Sequence, residues 1–309
     1  MQGSAAHGLR RPSRRRQTPR QTLASVIALT GLLAPLVAQA TPVDLYYERS
    51  VMAAANQRCG LFTPELSSAL ESAQAQARGA ALRAGASAFD LNATAAQARR
   101  KAAVTLCGSP DLALAANRVR GAFESYAHLL RMTFPGDASS WRADRTDAQR
   151  AYTWRLVQMT GFGRDSLAFG LAGRAGTSAL IASAAFADGA QPYGARLVLR
   201  DVTRVSGPSL NGPARASLAG RLPPRSGDIT FLAEARADAD LTLLPPGTRS
   251  GVAFRFPRAA TEALGGLDPR EAVAVEFLFN GQGRDTQRTA YVEVGDFAAG
   301  RAFLAASQR

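Results

Sequence analysis

Apolar residues recur every three or four positions between residues 44 and 131. Leu66, Leu70, Ala73, Ala77 and Ala80 form one stripe, and Leu112, Ala116, Val119, Phe123, Tyr126 and Leu130 form another. Leu91, Ala95, Ala98, Ala102 and Leu106 come close to a third. Such spacing lines one face of a helix. Two segments echo each other. Cys59-Gly60-Leu61-Phe62-Thr63-Pro64-Glu65-Leu66 is answered by Cys107-Gly108-Ser109-Pro110-Asp111-Leu112. In each, the glycine suits the left-handed position that closes a helix. Thr63 and Ser109 then suit the N-cap, and Pro64 and Pro110 the first helical position. Glu65 and Asp111 face the positive end of the new helix. The pattern predicts helices over 44–59, 64–84, 89–107 and 110–131. They are expected to form a helical bundle of two αα-hairpins, with alanine at many seam positions allowing close packing.

Beyond residue 150 the period changes to two. Short alternating or apolar runs fall at 153–160, 166–171, 178–186, 195–205, 229–236, 241–244, 252–256, 272–279 and 288–294. Val273, Val275, Phe277 and Phe279 share one face of their run. Gly161–Ser166, Pro245-Pro246-Gly247 and Asn280–Thr286 read as turns, and 206–227 as a long irregular connection. Short helices are expected at 258–264 and 297–306. The fold class is therefore α+β, a helical N-terminal part (41–131) followed by an antiparallel β-rich domain, sheet or small sandwich (151–309). Met132–Arg150, broken by Pro135 and Gly136, reads as a connector.

The first forty residues carry a separate pattern. Six arginines and no acidic residue precede Leu23–Ala38, a 16-residue apolar run closed by Ala38-Gln39-Ala40. This is the layout of a cleaved secretory signal peptide, with cleavage expected after Ala40. Sixteen helical residues rise about 24 Å, short of the roughly 30 Å hydrocarbon core. Ser13-Arg14-Arg15 lacks the apolar residues a twin-arginine signal places after its pair, so Sec-type export to a bacterial periplasm is favoured. No later stretch is apolar enough to span a membrane as a helix.

Export changes the meaning of the charge. The whole chain carries +13, with 37 basic and 24 acidic residues. Without residues 1–40 the excess is +7, spread along the chain with no basic block. Nucleic-acid binding calls for a clustered basic face interleaved with aromatics, and neither pattern is present.

Candidate chemistry is sparse. Cys59 and Cys107, 48 residues apart, suit a structural disulfide in an oxidising compartment. Without nearby histidines they cannot complete a zinc site. His128 is the one histidine after residue 40, lies off its helix stripe, and has no G-x-S-x-G serine to serve. Neither glycine-rich turn continues as a phosphate loop. Asp137, Asp144 and Asp147 lack calcium-loop spacing. Asp238 and Asp240 stand two apart and would share a face of one strand. No metal and no cofactor is expected. The most suggestive stretch is Trp141, Arg142, Arg145, Trp154 and Arg155, because arginine with tryptophan grips anionic glycans, lipid headgroups or carboxylates. The competing reading is that the tryptophans seal the junction between the two halves. The sequence points to an exported, non-catalytic binding or envelope-associated scaffold protein, its partner an envelope protein or an anionic glycan or lipid. The alternatives are a hydrolase of envelope material and an adaptor docking through a sheet edge.

Overall fold

The computed structural model describes residues 40–305 except 147, 211–216 and 282; the expected signal peptide lies outside the described residues. Four helices come first. Helix α1 (Pro42–Cys59) opens on a capping box: Thr41 accepts from the Asp44 amide, and the Asp44 carboxylate accepts from the Thr41 backbone. It closes at Gly60, which is left-handed at φ 62° and donates to Asn56 O. Helices α2 (Pro64–Arg83), α3 (Ala88–Val104) and α4 (Pro110–Ala127) start on the N-caps Thr63, Ser87 and Ser109.

The pairing of these helices departs from two hairpins. Arg49–Ala73, Ser50–Gln74 and Asn56–Ser67 hydrogen bonds hold α1 antiparallel to α2. Helix α3 packs on α1, and α4 on α2, rather than on each other. The Cys59–Cys107 disulfide is present and pins the segment after α3 to the end of α1. Gly108 is not left-handed, because α3 has already ended at Val104. The guanidinium of Arg58 takes over the cap there, donating to Ala103 O and Thr105 O.

Eleven strands follow among the described residues: β1 (Arg131–Pro135), β2 (Ser140–Asp144), β3 (Thr153–Phe162), β4 (Asp165–Gly173), β5 (Ala179–Ala185), β6 (Gly194–Arg200), β7 (Asp228–Leu232), β8 (Ala235–Asp238), β9 (Val252–Phe256), β10 (Ala272–Phe279) and β11 (Thr286–Glu293). One antiparallel sheet runs β1-β2-β3-β4-β5-β9-β8, the other β11-β10-β6-β7. The expected connector is in fact the β1–β2 hairpin. Trp141 and Ala143 alternate with exposed neighbours, but a five-residue run bounded by Gly136 and several polar residues hides its period. The single run expected at 229–236 is divided: Ala233 donates to Ala195 O on β6, and Glu234 to Arg255 O on β9, so the chain changes sheets there. Leu241–Leu243 is a 3-10 turn capped by Asp240, not a strand.

Helix α5 (Arg258–Gly265) follows β9, and α6 (Phe297–Ala305) follows β11. The inner faces of both sheets and both helices fill one core, with Trp141, Phe169, Phe254, Phe277, Phe297 and Phe303 fully buried. Each such side chain contributes about 1.5–3 kcal/mol. Helix α6 is the hinge pin of the architecture. Its outer face receives α2: Ser72 Oγ donates to Ala299 O (2.8 Å), Ser68 Oγ to Ala302 O, and Arg83 pairs with both oxygens of Asp296. Its inner face packs on β3, where Gly300 leaves room for Leu156. From Ala40 onward the chain is thus one compact unit, and the helical and β-rich parts are not separate domains.

Candidate functional site

A cleft of about 810 Å³ lies between the β5–β9 end of the larger sheet and helices α5 and α6. Its floor includes Leu180, Phe256 and Leu304, whose side chains belong to the core. Its rim is charged. Arg255 lies on β9 between Ile181 of β5 and Ala235 of β8, pointing away from the core that takes Phe254 and Phe256. Arg258 opens α5 just after Pro257, and Arg301 reaches in from α6. Glu234 and Glu262 complete the set.

These charges are not equivalent. Arg258 is bonded to Glu262 one turn along (2.8 Å), and Arg255 faces Glu234 at 3.8 Å; both pairs are exposed. Exposed pairs of this kind hold each other weakly, by about 0–1 kcal/mol. Arg301 is half-buried and makes no ion pair among the described residues. Its Nη1 donates to Thr261 O at 3.2 Å, and it lies over Gly265, where a Cβ would stand 2.7 Å from Nη1. Burial holds its pKa below the ordinary arginine value, against the opposing pull of Glu262.

The sequence-predicted binding residues serve the interior. Trp141 is fully buried against Phe297 and Phe169, and its Nε1 donates to Val294 O at 2.8 Å. Arg145 is buried flat on the Phe303 ring (3.7 Å) and donates to Ala127 O, Leu129 O and Phe303 O. One guanidinium therefore caps the C-terminal carbonyls of both α4 and α6, where positive charge is favoured. Arg155 sits at the register shift in the β3–β4 pairing and binds Asp144 O and Arg145 O. Trp154 packs with Leu243 on the other side of the sheet, and Arg142 is exposed. The five residues do not converge on one opening. Trp141 and Arg145 instead seal the helix–sheet junction.

No family model, curated protein or solved structure matches the chain.

Other polar clusters are internally satisfied. Glu293, fully buried, accepts the amides of Asp137 (2.7 Å), Ala138 and Ser139 (both 2.8 Å) at the β1–β2 turn. Arg200 and Glu271 form a bidentate buried pair. Asp165 and Asp188 close on Arg288, which stacks over Phe186 and Phe279 beside a second opening of about 510 Å³. The Arg288 guanidinium holds Asp188 down to a pKa of about 2. His128 caps the exposed end of α4. Asp238 ends β8 while Asp240 caps the next turn, so they share no strand face. Asp147 lies outside the described residues. Among the described residues no group of three His, Cys, Asp or Glu side chains could hold a metal, and no helix is long and apolar enough to cross a membrane.

Sequence reasoning missed Arg255, Arg258 and Arg301 because they belong to three different elements. The local signal available was Arg255 and Arg258 straddling a helix-starting proline; nothing local ties Arg301 to them.

Proposed function

We propose that the protein is exported to a bacterial periplasm through the Sec route, is cleaved after Ala40, and acts there as a non-catalytic binding or envelope-associated scaffold protein whose ligand seat is the α5–α6 cleft. The cleft carries this reading: a concave opening with an apolar floor and a few converging polar groups is where small ligands bind. The Cys59–Cys107 disulfide supports an oxidising compartment. The Thr41 capping box supports a mature chain beginning at that residue, since all of α1 and its cap are kept. A second reading, the sheet-edge adaptor, draws on β8: it ends the larger sheet, all four of its residues are exposed, and Leu232 beside it is 65% exposed.

Fractionation with intact-mass analysis and hydrogen exchange tests both parts. The expected protein is periplasmic, starts at Thr41, and shows slower exchange at β9, α5 and α6 on adding a small-molecule extract of the envelope. A cytoplasmic chain with its first forty residues would contradict export. Slowing confined to β8 would favour the adaptor.

A further inference from the structure

We infer that the cleft recognises a small ligand through one anionic oxygen group, a carboxylate or a phosphate, with Arg301 as the anchoring cation; this rests on the reading of the cleft as the ligand seat. The three arginines and two glutamates of its lining leave a single net positive charge. Arg255 and Arg258 each have an ion-paired carboxylate, whereas Arg301 has none among the described residues and feels Glu262 only at longer range. Its position is prepared. A single bond to Thr261 O and the bare backbone of Gly265 hold the guanidinium against α5, which leaves the rest of its donor fork for a ligand. A half-buried cation gains more from an incoming anion than an exposed one, because less water screens the pair. A planar fork also matches the paired oxygens of a carboxylate or phosphate.

The surrounding groups favour a small polar body over a bare ion. Arg255 and Arg258 exchange their weak partnerships with Glu234 and Glu262 for ligand oxygens, and the freed glutamates accept hydrogen bonds from ligand hydroxyls. Thr261 and Ser178 add hydroxyls to the lining. An acidic monosaccharide has this combination of one anion and several hydroxyls.

Titration of the disulfide-intact mature protein, followed by amide chemical shifts, uses three probes: glucuronate, inorganic phosphate and glucose. The expected result is saturable binding of at least one anion, with shifts centred on Ser178–Leu180, Thr261 and Arg301, and at least tenfold weaker binding of glucose. Arg301→Gln should reduce anion affinity about tenfold and leave glucose unchanged. Arg255→Gln, an exposed change that spares the core, should reduce it severalfold and serves if Arg301→Gln fails to fold. Phosphate binding as tightly as glucuronate identifies a phosphate site; glucuronate alone binding identifies a carboxylate site. Either supports the inference. Absence of binding by both anions at millimolar concentration overturns it, as does equal binding of glucose and glucuronate. If those failures are accompanied by a neutral compound that shifts the same amides, the anion assignment falls while the cleft remains the ligand seat. Shifts elsewhere alone would remove both.

Discussion

Single buried charges decide how the turns and helix ends of this protein are held. Glu293 is the clearest case, since its carboxylate is the acceptor for three consecutive backbone amides that a β-turn would otherwise leave without partners. Glu293→Gln keeps the shape but turns one acceptor into a donor facing an amide. The expected cost is about 2–3 kcal/mol, read from urea unfolding. Asp188 acts on the surface and through pH. Its carboxyl titrates near 2 in the folded protein against about 3.9 in an unfolded chain. A depressed carboxyl stabilises fully above the unfolded value and loses that contribution as the pH falls through the folded one. The stability difference between the wild type and Asp188→Asn should therefore be constant above about pH 4 and shrink from there toward pH 2. An unchanged difference at pH 3 would separate Asp188 from Arg288. Neither role is written in local sequence, because Asp188 meets its partner 100 residues away and Glu293 meets its partner 156 residues away.

Elements were more legible than the pairings between them. The stripes of Leu66–Ala80 and Leu112–Tyr126 place α2 and α4 within a few residues, and proline after a threonine or serine marks their starts. The face of α2 carrying Ser68, Ser72 and Gly79 was not legible as an interface. Small polar residues on a helix read as solvated until α6 supplies the carbonyls of Ala299 and Ala302. The expected α3–α4 hairpin does not form for a different reason. Succession along the chain favours α3 against α4, but the disulfide and the Arg58 cap draw α3 to α1. Replacing both cysteines with serine should cost about 4 kcal/mol, the loop-closure entropy of a 48-residue span, and should loosen α3 first. Thermal melting with and without reductant reads the total. Hydrogen exchange at Leu91–Val104 tests which element is released.

At the scale of the whole molecule, the α+β class, the helices and most strands beyond residue 150 followed from periodicity, whereas the β1–β2 hairpin and the candidate site did not. Trp141, Arg145 and Arg155 form an arginine–tryptophan cluster in sequence, yet Trp141 and Arg145 hold the junction through Val294 O and Phe303 O, and Arg155 binds Asp144 O within the larger sheet. The cleft arginines are scattered over β9, α5 and α6 and converge only when the helix after β11 packs beside the helix after β9. The central claim is that this convergence forms the ligand seat of an exported protein. Native mass spectrometry of the protein purified from the periplasm tests it most directly, comparing the wild type with Thr261→Trp, which fills the cleft from α5. The account predicts a chain that begins at Thr41 and carries a small molecule released on unfolding, and a Thr261→Trp chain that folds but carries none. A ligand retained in equal amount by Thr261→Trp would contradict it.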